Sequence, residues 1–255
     1  GNMKSALSTF QNVISTLANP AKFNAQTVTS GDAKVFTATA NGSATNGDYG
    51  VTVNQLATSQ KLTMTGLPNT TDVVGTGTLT ISFGTFKPAT VSPAVPASFT
   101  ANSAKSDITI QINSSNNTLS GVRDAINAAN GSVSATIVND GTSNRLVITS
   151  KDTGEANSLK ITVADDDSNS LDSSGLSQLA YDPLASAGSG KNMAQMQAAK
   201  NALLEIDGIS ISKPSNLITD AIEGVTLNLL SVSSTSVVLG ISTDKAKIKD
   251  SVKGF

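Results

Sequence analysis

The stretch Asn116–Gly154, NNTLSGVRDAINAANGSVSATIVNDGTSNRLVITSKDTG, changes its hydrophobic period half-way along. Leu119, Val122, Ile126 and Ala129 recur at spacings of three and four, which puts them on one face of a helix. Asn117 or Thr118 stands where a side-chain oxygen can cap the first free amides, and Asn130 with Gly131 where a left-handed residue can end the helix. Beyond that stop the period falls to two, with Val133, Ala135 and Ile137, then Leu146, Val147 and Ile148, joined through Asp140–Gly141. Ile108, Ile110 and Ile112 alternate ahead of the helix, and Leu159, Ile161 and Val163 alternate after Thr153–Gly154. The expected unit is a strand, a helix and a small antiparallel meander of three strands, the helix covering one face.

Towards the amino end, Leu79, Ile81 and Phe83 form a strand, as do Tyr49, Val51 and Val53, with Leu62 and Met64 resuming the alternation. Pro88, Pro93 and Pro96 punctuate Lys87–Ser98, which reads as a linker or edge excursion and as a module boundary. Towards the carboxy end, Asp165–Lys191 is polar and loop-like, and Met193–Lys200 reads as a short helical turn. Leu203, Leu204 and Ile206 then lead through Asp207–Gly208, a hairpin-type turn, into Ile209 and Ile211. Val225, Leu227 and Leu229 and the run Val237–Ile241 supply the last strands, expected to share a sheet system with the early ones.

Two amphipathic stumps bracket this body. Ala6, Leu7, Phe10, Val13, Ile14 and Leu17 recur at helical spacing at the front, and Ile248, Val252 and Phe255 do so at the back. A stripe that short does not support a stable helix alone in water, so each is expected to belong to a longer helix continuing outside these 255 residues. Together they suggest one antiparallel stem, in which Leu7, Phe10, Ile14, Leu17, Ile248, Val252 and Phe255 make packing or oligomer contacts. Whether those residues only anchor the projection or also face a neighbouring subunit stays open.

Composition narrows the function classes. The chain has no histidine and no cysteine, so the commonest general base, the usual zinc ligands and the thiol nucleophile are missing together. Glutamate occurs only at Glu155, Glu205 and Glu223, none beside an evident apolar pocket, and all three read as structural. Asp165, Asp167 and Asn169 match the opening ligands of a calcium loop, but Ser170 stands where the turn needs glycine and Leu176 where a bidentate glutamate should close it. Gly188, Gly190 and Lys191 fail a phosphate loop at Ala185 and Asn192. No catalytic, cofactor or metal residue is expected, and no cofactor.

Net charge is −2 and only Arg123 and Arg145 carry guanidinium groups, which argues against nucleic acid. The lysines at 245, 247, 249 and 253 interleave with Asp244 and Asp250 and read as a solvated face. No run approaches the length of a membrane span and nothing resembles a secretory signal, Gly1, Asn2 and Met3 reading as a cloning remnant. Aromatic content of 4% without Trp favours thin β-layers of Val, Ile, Leu and Ala over layers built on large anchors.

Three stretches, Tyr49–Leu62 (YGVTVNQLATSQKL), Asn116–Gly154, and Ala202–Leu230 (ALLEIDGISISKPSNLITDAIEGVTLNLL), together resemble the flagellar hook-associated protein 2 family, the bacterial filament caps. The middle one also resembles a module that recurs in flagellin and hook-associated proteins. The resemblance implies a non-enzymatic, exported assembly factor without a cleaved signal peptide, extracellular at the flagellum tip. It would form a ring homo-oligomer that guides flagellin into the filament, with flagellin and neighbouring hook-associated proteins as partners. It also implies a helical leg, a coiled coil in part, beside two β-rich plate domains. The competing class is cell adhesion, with the β-rich plate binding host mucin or glycans, against which the scarcity of Trp and Tyr counts.

The expected fold class is mainly β with minor α (α+β): two nested β-rich modules on a truncated antiparallel helical stem. The stem takes residues 1–40 and 242–255, one plate domain residues 41–86 and 196–241, and the inserted plate domain residues 87–195. No membrane insertion is expected.

Overall fold

The computed structural model describes residues 2–17, 25–247 and 249, and is mostly β. In chain order it contains α1 (Asn2–Leu17), β1 (Gln26–Ser30), β2 (Phe36–Ala40), β3 (Gly47–Gln55), β4 (Lys61–Thr63) and β5 (Gly77–Lys87). There follow β6 (Thr90–Val91), β7 (Ala94–Val95), β8 (Ser98–Ala101), β9 (Ile108–Ile112), α2 (Leu119–Ala128), β10 (Val133–Asn139) and β11 (Asn144–Ser150). After them come β12 (Ser158–Asp165), β13 (Tyr181–Ala187), β14 (Ser189–Lys191) and β15 (Ala194–Gln197). The last strands are β16 (Ala202–Ile206), β17 (Ile209–Lys213), β18 (Leu217–Ile218), β19 (Val225–Leu229) and β20 (Val237–Thr243).

These elements form two compact units, residues 1–56 with 202–255, and residues 57–201. In the first, β3 lies between two strands from the far end of the chain, in a sheet ordered β1-β20-β3-β16-β17. A three-stranded sheet, β18-β19-β2, completes it. The alternation in β3 and β19 buries Val51, Val53, Val225, Leu227 and Leu229, while Leu204, Ile206, Leu239 and Ile241 fill the same kind of inward position on late strands. The β16–β17 turn has Asp207 at φ 50° and Gly208 at φ 83°, the two left-handed residues that a tight hairpin matching strand twist requires.

The second unit holds a sheet β10-β11-β4-β15 and a sheet β14-β13-β12-β5-β8, with β9 also paired to β5. Thr58 and Lys200 exchange backbone hydrogen bonds of 2.9 and 3.0 Å, which tie together the two points where the chain enters and leaves this unit. Its continuous core includes Leu62, Leu79, Ile81, Ile112, Leu119, Ile126, Ile148, Leu159 and Ile161. α2 starts where its sequence predicts, with the Thr118 hydroxyl accepting from the Gly121 amide at 3.1 Å. It buries Leu119, Val122 and Ile126, each contributing about 2–3 kcal/mol of apolar burial. Asn130 then takes φ 47° and ends it.

Several expectations change. The break between units falls at residues 57 and 201, not at 87 and 195, because β5 pairs along its whole length inside the second unit with β12, β9 and β8. Residues 26–30 and 36–40, assigned to the stem, are strands of the first unit, β1 pairing with β20 and β2 with β19. The proline-punctuated stretch contains a small hairpin, β6–β7. The three-stranded meander is not formed: β11 pairs with β10 and β4, and β12 leaves for β5 after Gly154, whose φ of 98° turns the chain aside. Met193–Lys200 contains β15 on the edge of β4 in place of a helical turn. Asp165–Lys191 carries β13, β14 and a 3-10 turn that bury Leu176, Leu179 and Tyr181, since three apolar residues in a polar run are too few to show a period.

Candidate assembly surfaces

α1 is a sixteen-residue helix with a polar face and an apolar face. Leu7 and Phe10, three residues apart on the apolar face, are 59% and 60% exposed, and Met3 one turn earlier is more exposed still. A helix of this length is marginal in water unless that face is covered. The side chains of Ile14 and Leu17, and Ile248, Val252 and Phe255 altogether, lie outside the described residues, as does the expected pairing of the two chain ends. At the carboxy end, the Asp244 carboxylate accepts from the Lys247 amide at 2.9 Å and caps the helical turn that begins at Lys245.

In the second unit a cleft of about 340 Å³ is lined by Phe86, Leu159, Tyr181, Pro183, Gln195 and Lys200 among others. Its polar wall is a closed relay. The Tyr181 hydroxyl donates to Gln195 Oε1 at 3.1 Å, Gln60 Nε2 donates to the same oxygen at 2.6 Å, and Gln60 Oε1 accepts from the Leu159 amide. Burial pushes the Tyr181 phenol above its ordinary value, so the hydroxyl remains a neutral donor. Each group in the relay has a protein partner, which makes it a bolt between β12, β13 and β15 and leaves none poised as base or nucleophile. Gln60 and Gln195 were not legible as important, since a lone amide in a polar run has no periodic signature. Asn127 was missed for the same reason: it donates to the Ala135 carbonyl at 2.8 Å and accepts from the Ala135 amide at 2.9 Å, clamping α2 to β10.

Asp165, Asp167 and Asp172 are occupied within their own segment. Asp165 accepts from the Ser177 amide at 2.7 Å, Asp167 from the Asn169 amide at 2.8 Å, and Asp172 from the Ser174 hydroxyl at 2.7 Å. Among the described residues there is no cluster of three or more potential metal ligands. Glu205 lies on the β16 face and accepts from Asn54 Nδ2 at 3.3 Å, Glu223 is exposed, and Glu155 borders the cleft.

Apolar side chains are exposed at other strand positions as well. Val91, on the β6–β7 hairpin, is 95% exposed, and Ile209, on edge strand β17, is 68% exposed. An unpaired edge and single exposed apolar residues are contact material for another chain. The aromatic rings are a different matter: Phe36, Phe83 and Tyr181 are buried and Tyr49, Phe86 and Phe99 half-buried, so Phe10 alone among the described residues presents an exposed ring. That is a poor platform for stacking sugars, and the adhesin reading gains nothing from the surface.

The flagellar hook-associated protein 2 N-terminus model matches residues 1–60, the flagellar hook-associated protein 2 C-terminus model residues 199–255, and the flagellin hook IN motif residues 98–152. The D2-D3 domains of the flagellar cap protein FliD from Escherichia coli superpose with a TM-score of 0.71 at 36% identity, over 86% of this chain and 99% of that one. The chain belongs to the flagellar hook-associated protein 2 family. Another member, the B-type flagellar hook-associated protein 2 of Pseudomonas aeruginosa, is 37% identical across 100% of this chain and 51% of its own length. The FliD D1-D2-D3 structure from Escherichia coli matches with a TM-score of 0.80 at 36% identity, over 99% of this chain and 64% of that one. This family member thus spans about half the length of the curated relatives it matches.

Proposed function

We propose that this chain is the β-rich portion of a cap at the distal end of a bacterial flagellar filament, outside the cell, where it holds flagellin subunits while they insert and prevents their loss. The observation that carries this reading is an arrangement shared, over nearly the whole chain, with a flagellar cap protein. The chemistry of the surface supports it. The polar relay and the Asp165 carboxylate are satisfied within the second unit, while Leu7, Phe10, Val91 and Ile209 are left as contact residues. Such a molecule acts by shape and contact, without turnover of a substrate.

The native partners in this proposal are further copies of the chain in a ring, with flagellin and neighbouring hook-associated proteins. Ring closure requires a heterologous contact repeated by rotation. α1 and the stripe at Ile248, Val252 and Phe255 would be the first turns of an antiparallel coiled-coil leg, completed by chain beyond these residues. Export without a cleaved signal peptide belongs to the same reading. Complementation of a cap-deficient strain with the full-length parent tests it: restored filaments and little free flagellin in the medium support the proposal, and continued shedding of unpolymerised flagellin overturns it.

A further inference from the structure

Three Asn-Gly pairs, at Asn41, Asn46 and Asn130, share the sequence most prone to spontaneous deamidation, because glycine leaves the next amide unshielded. The fold treats them differently. Asn41 Oδ1 accepts from both the amide and the hydroxyl of Ser43, at 2.9 and 2.6 Å, and Asn46 Nδ2 donates to Thr243 Oγ1 at 3.0 Å. Either bond restrains the side-chain amide that has to swing onto the following nitrogen. Asn130 is exposed, sits at φ 47° beyond the end of α2, and its side-chain amide has no hydrogen-bond partner among the described residues. The Gly131 amide likewise donates to no described acceptor, while the Gly131 carbonyl is fixed by Lys151 Nζ at 2.9 Å.

We infer that Asn130–Gly131 is the chain's site of self-modification, deamidating ahead of the other two pairs. The Gly131 nitrogen loses its proton to solvent base and bonds to Asn130 Cγ, and ammonia leaves. Water then opens the five-membered imide at either carbonyl, giving aspartate or isoaspartate, with no change of oxidation state. Beside the pair, a Cβ on residue 131 would lie 2.2 Å from Ile108 Cδ1, so a larger residue there requires the end of the Ile108 side chain to shift. Both products put a carboxylate at the negative end of the α2 dipole, and isoaspartate inserts an extra main-chain atom between α2 and β10. The modified chain should accordingly show a looser second unit. This inference rests on the fold alone and is independent of the cap proposal.

The experiment is a timed peptide map of the folded chain in mildly alkaline buffer, with a parallel sample unfolded in urea. A mass gain of roughly one dalton reports each conversion. In the folded sample the Asn130 peptide is expected to convert several-fold faster than those of Asn41 and Asn46, the rates converge in urea, and Asn130→Gln abolishes the fast conversion. Equal rates for the three pairs in the folded chain, or an inert Asn130 beside reactive pairs in urea, would overturn it.

Discussion

Gly50 and Asp207 hold each other across 157 positions of sequence: the Gly50 amide donates to Asp207 Oδ1 at 2.7 Å, and the Asp207 amide donates to the Gly50 carbonyl at 2.9 Å. The first unit is interrupted in sequence by the whole of the second, and this reciprocal pair locks the β16–β17 turn onto β3. Glycine at 50 leaves the strand surface open, where a Cβ would fall 2.7 Å from Ser236 Oγ and turn that exposed hydroxyl aside. Asp207→Ala removes one charge-assisted bond and the residue best suited to the left-handed turn, and is expected to cost about 1–2 kcal/mol. Amide exchange should accelerate in β3 and β16 while the second unit keeps its protection. Uniform acceleration through both units would contradict the assignment.

Gln60 is nearly fully buried and joins Leu159 to Gln195. Gln60→Ala leaves the buried Leu159 amide without its partner and takes one of two donors from Gln195 Oε1, so the second unit should lose about 1–3 kcal/mol in urea unfolding. Gln60→Glu probes the same bolt differently. An ionised carboxylate cannot donate to Gln195, so this variant should be weakened at neutral pH and partly recovered in acid.

Leu119 opens the apolar face of α2 with no exposed surface. Leu119→Ala deletes the contact and leaves a cavity, at a cost of about 2–5 kcal/mol measured by chemical denaturation. A loss below about 1 kcal/mol would mean that the site collapses around the smaller residue.

The Asp140 carboxylate is held well below its usual range, chiefly by Arg145 Nε at 2.6 Å, then by the Thr142 hydroxyl and the amides of Thr142 and Ser143. With the folded value lowered, the turn's contribution is fully present above the unfolded carboxylate range and is lost only as pH falls through the lower, folded value. The Thr142 and Ser143 amide resonances should therefore stay in place between about pH 5 and pH 3, where ordinary exposed aspartates titrate. In Arg145→Gln the same resonances should move inside that window.

Legibility followed the length of the periodic signal. α2, with its cap at Thr118 and its stop at Asn130, could be read directly because four apolar positions and both termini agree. The β16–β17 hairpin was equally clear from Asp207–Gly208 between apolar strands. Pairing across long separations was harder, because alternation marks a strand's buried face and says nothing about its neighbour. β12 could therefore be assigned to β11 when it pairs over eight residues with β5, while the prolines after β5 set the expected unit boundary some thirty residues too late. Short strands such as β13 and β15 vanished into polar sequence, though Tyr181 and Gln195 bind them to the core. The apolar face of α1 could be read only as a stripe, on which Leu7 and Phe10 are exposed among the described residues.

The proposed cap role has this molecule work by contact, through α1 and the β-rich units. Its most direct test measures flagellin released to the medium by a cap-deficient strain carrying the full-length parent, either unaltered or with Leu7→Glu and Phe10→Glu together. The expected result is retained flagellin with the unaltered protein and shedding with the double variant, the two β-rich units still folded by amide exchange. Retention by the double variant equal to that of the parent would contradict it.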